Sequence, residues 1–294
     1  MIARTTSSLM TQTMLRNLQG GLSDLARLQA QATSQRVLAA SSDDPAAAAK
    51  VLGVHQAQSK NEQYARNVND GLAWVTTVDT ALSASTSLMG RVRDLTLQGA
   101  NDGAMDATSR EAIAVELEGI RAELLGQANT KVIGRSVFAG TSGEPAFSSA
   151  DYSYSGTPGA QVNRRLSEGE TVRVDADGAA VFGVGANSAF ALIDNIVADL
   201  RAGVNVGARV DEIDDRRNAM LGAQGAVGAR QAQIERAKEA TLGRSVDLET
   251  QRTGLEDIDT VDVFVKLQSA QLVYQSAMQV TARAQQTSLM EFLR

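Results

Sequence analysis

The chain has 294 residues, of which 43% are hydrophobic and 21% charged. This composition suits a folded protein with a sizeable core and excludes a disordered chain. The net charge is −6, from 28 Lys and Arg against 34 Asp and Glu. Lys and Arg do not gather in a basic segment, which argues against a nucleic-acid partner. The sequence contains no run of about 18 apolar residues, so we expect no transmembrane helix.

Cysteine is absent and His55 is the single histidine. Disulfides, thiolate chemistry and thiolate zinc sites are therefore excluded, and a Ser-His-Asp triad would have to use His55. Carboxylates cluster at Asp43 and Asp44 and again within residues 256–259, without an accompanying cysteine or glycine-rich phosphate loop. We therefore predict no catalytic residue, no metal site and no cofactor, and an enzyme is the least favoured class.

The first predicted helix covers residues 8–38 and has leucines at the three- and four-residue spacing of one helix face: Leu15, Leu18, Leu22, Leu25 and Leu28. A second helix is predicted from Pro45, because proline suits the first helical position and Asp43 or Asp44 can cap it. This helix extends to about residue 98 and contains a coiled-coil-like repeat: Val68, Val75, Leu82 and Met89.

A third helix is predicted after residue 108, where Thr108 and Glu111 have the spacing of a capping box. Residues 131–140 predict a short β-hairpin, since β-branched and aromatic residues lie between glycines. Residues 141–185 are rich in Gly, Ser, Tyr and Val, and they predict a small β-rich insertion with candidate strands at 152–154, 171–174 and 180–182.

Helices are predicted to resume near residue 188, first as a short helix ending at Gly203 and then as a very long one from about residue 206. The last helix, over residues 259–294, has no Gly or Pro and bears a second apolar stripe: Phe264, Leu267, Ala270, Tyr274, Ala277, Thr281 and Ala284. Neither terminal helix can bury its stripe alone, so we expect the two to pair. The expected fold is mainly α: a long antiparallel helical rod, coiled-coil-like at the chain ends, with a small β-rich insertion.

Five segments of the chain carry a family resemblance. Residues 28–49 read LQAQATSQRVLAASSDDPAAAA, residues 134–141 read GRSVFAGT, and residues 226–230 read AVGAR. Residues 255–259 read LEDID, and residues 287–293, near the end, read TSLMEFL. In this order and spacing the segments resemble the flagellin superfamily.

The resemblance implies a structural subunit of the bacterial flagellum that assembles through its terminal helices. Ser-Asp-Asp followed by Pro45 is similar to subunits at the junction between hook and filament, whereas filament subunits usually have Asp-Asp-Ala-Ala-Gly there. The implied partners are further copies of the chain, the first junction protein, flagellin and an export chaperone of the flagellar type III secretion system, with no nucleic acid or membrane. The implied location is the extracellular flagellum, reached without a cleaved signal peptide, and the N-terminus indeed lacks the apolar core and cleavage site of one.

Three domains are expected: a terminal helical inner core of residues 1–40 and 259–294, a helical rod of residues 41–140 and 186–258, and a small β-rich outer domain of residues 141–185. The expected assembly interface consists of apolar residues on the terminal helices: Leu15, Leu18, Leu22, Leu25, Leu28, Phe264, Leu267, Tyr274, Ala277, Leu289 and Phe292. Two alternatives remain open, a flagellin subunit of the filament itself and an intracellular helical scaffold.

Overall fold

The computed structural model describes residues 2–38, 44–101, 106–157 and 159–292, with the backbone alone for 2–8, 10–11 and 284–292. Within these ranges the elements are α1 Ile2–Ser34, α2 Pro45–Gly99, α3 Ala107–Ala128, β1 Lys131–Val132, β2 Arg135–Ser136, β3 Asn163–Arg165, β4 Thr171–Arg173, α4 Gly178–Phe182, α5 Ala189–Ala202, α6 Val210–Glu256 and α7 Thr260–Phe292. The predicted mainly α fold with a small β-rich insertion is confirmed.

The chain divides into two compact units. Met1–Lys60 and Ser245–Arg294 form a terminal unit, and Asn61–Arg244 forms a central unit. Each long helix α2 and α6 contributes to both units. The three-domain division expected from the sequence stays a prediction.

In the central unit, α2 and α6 run antiparallel. Arg93 on α2 forms an ion pair of 2.9 Å with Asp214 on α6, and Asn61 donates across 3.0 Å to the carbonyl of Thr241. The side chains of the predicted repeat on α2 are at most 1% exposed: Val68, Val75, Leu82 and Met89. It is matched by buried residues spaced seven apart on α6, as in a coiled coil: Ile213, Met220, Val227 and Ile234.

The start of α3 differs from the sequence prediction. The side chain of Asp106 accepts a hydrogen bond from the Ser109 backbone N–H at 2.8 Å and caps the helix. The capping box expected at Thr108 and Glu111 is therefore wrong, because both residues already lie inside the helix. The α2 start was predicted correctly, since Asp44 accepts hydrogen bonds of 3.0 Å from the N–H groups of two following residues; Asp43 lies outside the described residues.

The β-rich segment contains two separate strand pairs. Strands β1 and β2 form the predicted hairpin, and the positive φ of both Ile133 and Gly134 at its tip fits a tight two-residue turn. The second pair joins β4, which was predicted, to β3, which was not. Residues 180–182 are helical rather than a strand, because the side chain of Asp177 accepts from two N–H groups and caps α4. Residues 152–154 contribute a single bridge to Phe147.

Aromatic side chains hold the β-rich segment to the helices of the central unit. Phe182 is fully buried, and its ring centre lies 5.2 Å from Phe138, 5.7 Å from Phe147 and 5.8 Å from Phe190. Such ring pairs add about 0.5–1.5 kcal/mol beyond their burial. The central unit therefore has a dry core of its own.

Candidate assembly interface

The terminal helices α1 and α7 pack against each other in the terminal unit. We call their shared line of contact the terminal seam, and it consists of Leu18, Gly21, Leu25 and Leu28 on α1 and Val263, Leu267, Ala270, Tyr274 and Ala277 on α7. Leu28 and Val263 are buried, at 9% and 8% exposure, and the other residues are half-buried. A Cβ placed on Gly21 would lie 3.5 Å from a ring carbon of Tyr274, an ordinary van der Waals distance, so the tyrosine ring packs beside Gly21.

Six of the predicted interface residues lie on this seam: Leu18, Leu25, Leu28, Leu267, Tyr274 and Ala277. Leu15, Leu22 and Phe264 do not, because they are 49%, 52% and 60% exposed. The expected packing of all five leucines against a stripe that begins at Phe264 is therefore wrong. The side chains of Leu289 and Phe292 lie outside what the structure describes.

Two seam residues, Val263 and Gly21, were missed in the sequence. Val263 starts the alternating three- and four-residue spacing that continues through Leu267 and Ala270, and counting from it rather than from Phe264 would have given the buried face. Gly21 stands in the middle of a leucine-rich helix, where a glycine costs helical stability. Gly20 beside it has no atom within 4 Å of its Cβ position, so glycine at this place in the helix does not by itself indicate a contact.

The faces of α7 away from the seam carry exposed apolar side chains between polar ones such as Gln268 and Gln275. Val265 and Leu272 lie about 180–200° around the helix from Val263, at 100° per residue, and they are 58% and 70% exposed. Further large apolar side chains are exposed on the same helix: Val261, Val273, Met278 and Val280. In the described ranges no helix is long and apolar enough to span a membrane.

Amide hydrogen exchange should be faster in the terminal unit than in the central unit. In a dilute solution of the monomer, amides of α1 and α7 are expected to exchange at least tenfold faster than those of α3 and α5, because the terminal seam is half-open to water while the central core is dry. Mass spectrometry of peptides after timed deuteration measures this difference. Equally slow exchange in all four helices would contradict the prediction.

The carboxylates that could have suggested an enzyme have structural contacts. Asp44 caps α2, and Asp259 caps α7 by accepting from the N–H groups of Val261 and Asp262. Glu256 is 6% exposed, and its side chain lies 3.1 Å from the imidazole of His55. In the described part of the chain, no group of three or more His, Cys, Asp or Glu side chains could hold a metal ion.

Two family models match the chain. The bacterial flagellin N-terminal helical region matches residues 6–143, and the bacterial flagellin C-terminal helical region matches residues 210–293. The two matched regions contain the paired helices α1 and α7 as well as most of the central unit. Only the β-rich segment after residue 143 and α5 fall between them.

Hook-associated protein 3 of Salmonella typhimurium is 26% identical to this chain over 267 residues, which cover 82% of both proteins. Hook-associated protein 3 of Escherichia coli is 23% identical over 298 residues, which cover 91% of this chain and 93% of the Escherichia coli protein. Flagellin A of Vibrio anguillarum is 38% identical, but over 109 residues that cover 36% of this chain and 28% of its own. Similarity to hook-associated protein 3 thus extends over most of both chains, whereas the match to flagellin A covers about a third of this chain and that to the B-type flagellin of Pseudomonas aeruginosa covers half of it and 30% of its own.

Solved structures show the same fold. The FlgL proteins of Bacillus cereus and Xanthomonas campestris align with TM-scores of 0.60 and 0.62 at 21% and 18% identity. Each alignment covers 68% of this chain and 99% of the solved chain. Since the two family models together match more than half of the sequence, the chain belongs to the flagellin family, and within this family it is a protein of the hook-associated protein 3 type.

Proposed function

We propose that this protein is a structural subunit of the bacterial flagellum, located at the junction between hook and filament. The observation that carries the proposal is the difference in extent between the two similarities: the matches to hook-associated protein 3 cover 82–91% of the chain, whereas those to flagellin A and to a B-type flagellin cover 36% and 50%. Proteins that share an architecture over their whole length can occupy equivalent places in an assembly. Proteins that share only a terminal region share the means of assembly.

The terminal unit provides the means of assembly. Its helices pair along the terminal seam, and the exposed apolar faces of α7, together with Leu15, Leu22 and Phe264, remain for neighbouring subunits to cover. Burying one such side chain is worth about 1.5–3 kcal/mol. Ordering each residue of a helix costs about 1–2 kcal/mol, so contacts between subunits supply stability that the seam within one subunit does not.

The partners that follow are further copies of this chain, the first junction protein on the hook side and flagellin on the filament side. An export chaperone of the flagellar type III secretion system and export without a cleaved signal peptide belong to the same proposal. The protein works as a structural element and not as a catalyst, without nucleic-acid or membrane partners.

Deletion of the encoding gene tests the junction role. Cells without the gene should build complete hooks but release flagellin unassembled into the medium, because the first flagellin subunits lack a surface to polymerise on. Electron microscopy of the cells and immunoblots of the medium measure both effects. Reintroducing the gene should restore filaments.

The flagellin alternative makes the opposite prediction. Deletion cells that still carry full filaments, made of other subunits and missing only this chain, would identify a filament component and contradict the junction role. An intracellular scaffold would leave hooks and filaments unchanged, and the protein would then be recovered from the cytoplasm rather than from isolated flagella.

A further inference from the structure

Glu256, the last residue of α6, lies in an unfavourable place for an acid. The C-terminus of a helix carries the negative end of the helix dipole, where a carboxylate is destabilised, and Glu256 is only 6% exposed. A buried charge without compensation is costly. Its surroundings must therefore supply positive charge.

Arg252 supplies this charge by direct contact. Its guanidinium donates to one carboxylate oxygen of Glu256 at 3.1 Å, and Nε2 of His55 lies 3.1 Å from the other. Burial alone would raise the pKa of Glu256, but the hydrogen bond from Arg252 and the interactions with His55 and Arg36 outweigh it and hold the pKa below its usual value. These three side chains come from α6, from α2 and from the segment that follows α1.

The backbone of the same residue holds that segment in place. The carbonyl of Glu256 accepts a hydrogen bond of 2.8 Å from the N–H of Val37, and the adjacent residues Arg36 and Asp257 form an antiparallel bridge. The side chain of Gln31 donates to the carbonyl of Val37 at 2.7 Å. Glu256 thus contacts the first turns of α2 through its side chain and the segment after α1 through its backbone carbonyl. It lies at the start of the connection from α6 to α7.

Because α7 is long, a small rotation at Glu256 produces a large displacement at the far end of the helix. Helix α7 has 33 residues and is about 50 Å long at 1.5 Å per residue. A rotation of about 10° at its base would move its far end by about 9 Å, which is the distance between two packed helices. Contacts between subunits along α7 therefore require a fixed direction at its base.

We propose that Glu256 is a positioning residue that fixes the direction in which α1 and α7 leave the paired ends of α2 and α6, and that assembly depends on this direction. A buried ion pair is a poor source of net stability, because well-packed apolar residues do as well. A buried charge with several partners can instead select one arrangement. The dependence on assembly rests on the proposed function, whereas the positioning role does not.

Distance measurements on the purified full-length chain test the positioning role. The sequence has no cysteine, so spin labels can be attached at Ser59→Cys on α2 and Gln279→Cys on α7, both exposed. We expect one narrow distance distribution for the otherwise unchanged protein. Glu256→Gln should broaden the distribution at least twofold while circular dichroism shows unchanged helix content, because the amide keeps the shape but removes the charge.

Glu249→Gln is the matched control. Glu249 lies two turns earlier on α6, also accepts from Arg252, at 2.8 Å, and its side chain is 56% exposed. It accepts from Gln58 on α2 as well, but within the described residues it does not bond to the segment after α1. This variant should leave the distribution narrow. If Glu256→Gln unfolds the terminal helices, His55→Gln replaces it, since His55 is 45% exposed and its loss removes the imidazole contact between α2 and Glu256; it should broaden the distribution by a smaller factor.

The outcomes separate the two parts of the proposal. A narrow distribution in both Glu256→Gln and His55→Gln, or equal broadening in Glu249→Gln, overturns the positioning role. A broadened distribution with normal flagella in cells that express only Glu256→Gln overturns the dependence of assembly on direction. Failure of the junction role would appear separately, as filaments that persist after gene deletion.

Discussion

Replacing Tyr274 with aspartate is expected to abolish incorporation of the protein into the flagellum. Tyr274 packs on α1 beside Gly21, so the substitution removes a large apolar surface and places a charge in the terminal seam. The lost burial alone is about 1.5–3 kcal/mol, and the carboxylate adds the cost of its desolvation. Leu267→Asp, two turns earlier on the same face, should have the same effect.

Isolated flagella, analysed by immunoblot, measure incorporation, and we expect a loss of at least tenfold for Tyr274→Asp. Tyr274→Phe is the matched control, because it keeps the ring against Gly21, and incorporation should stay within twofold. Gly21→Leu places a large side chain against the Tyr274 ring from α1, and it should cause the same loss of incorporation. Circular dichroism should show that the central unit remains folded in all three variants, and normal incorporation of Tyr274→Asp would contradict the seam.

Replacing Asp175 with asparagine is expected to destabilise the central unit by about 3–5 kcal/mol, the usual cost of breaking a buried ion pair. Asp175 is fully buried. Arg173 donates to both of its carboxylate oxygens at 2.9 Å, and the N–H of Val162 donates to one of them at 2.8 Å. Asparagine keeps one acceptor oxygen but replaces the other by an NH2 group, which cannot accept a hydrogen bond. The Arg173 charge would also lose its counter-ion.

Urea unfolding followed by tryptophan fluorescence measures this change, because Trp74 is the single tryptophan and is 2% exposed in the central unit. The matched control is Asp177→Asn, two residues later. Asp177 is exposed and caps α4, a position that asparagine fills as well as aspartate, so its free energy of unfolding should change by less than about 0.5 kcal/mol. A change below about 1 kcal/mol for Asp175→Asn would contradict the prediction.

The sequence predicted helices best where the packing partner lies on a regular repeat. The seven-residue repeat from Val68 to Met89 is buried throughout its length, because a long apolar stripe has one way to avoid water. Short elements were predicted less well. Residues 180–182 combine a β-branched and an aromatic residue, which favour a strand, but the cap from Asp177 and the burial of Phe182 among other aromatic rings decide for a helical turn.

The interface shows the same limit at the level of single residues. Leu15 and Leu22 are spaced seven apart, as are Leu18 and Leu25, so the sequence contains two apolar repeats on one helix and does not choose between them. The tertiary structure chooses, because the pairing at Gly21 turns Leu18 and Leu25 toward α7 and leaves the other two about half exposed. A rotation of α1 by about 60° about its axis, the angle between positions three residues apart, would bring Leu15 and Leu22 to the seam instead.

The sequence by itself determined the class of the protein: two apolar terminal helices, a long helical centre, a β-rich insertion and the segments that resemble the flagellin superfamily. These features are local in the chain, since helix periodicity and capping depend on residues a few positions apart. Only the tertiary structure decided which apolar face closes the terminal seam, which faces remain for other subunits, and that Glu256 joins three segments. Those features depend on contacts between residues about 200 positions apart along the chain, such as His55 with Glu256, and local spacing carries no information about them.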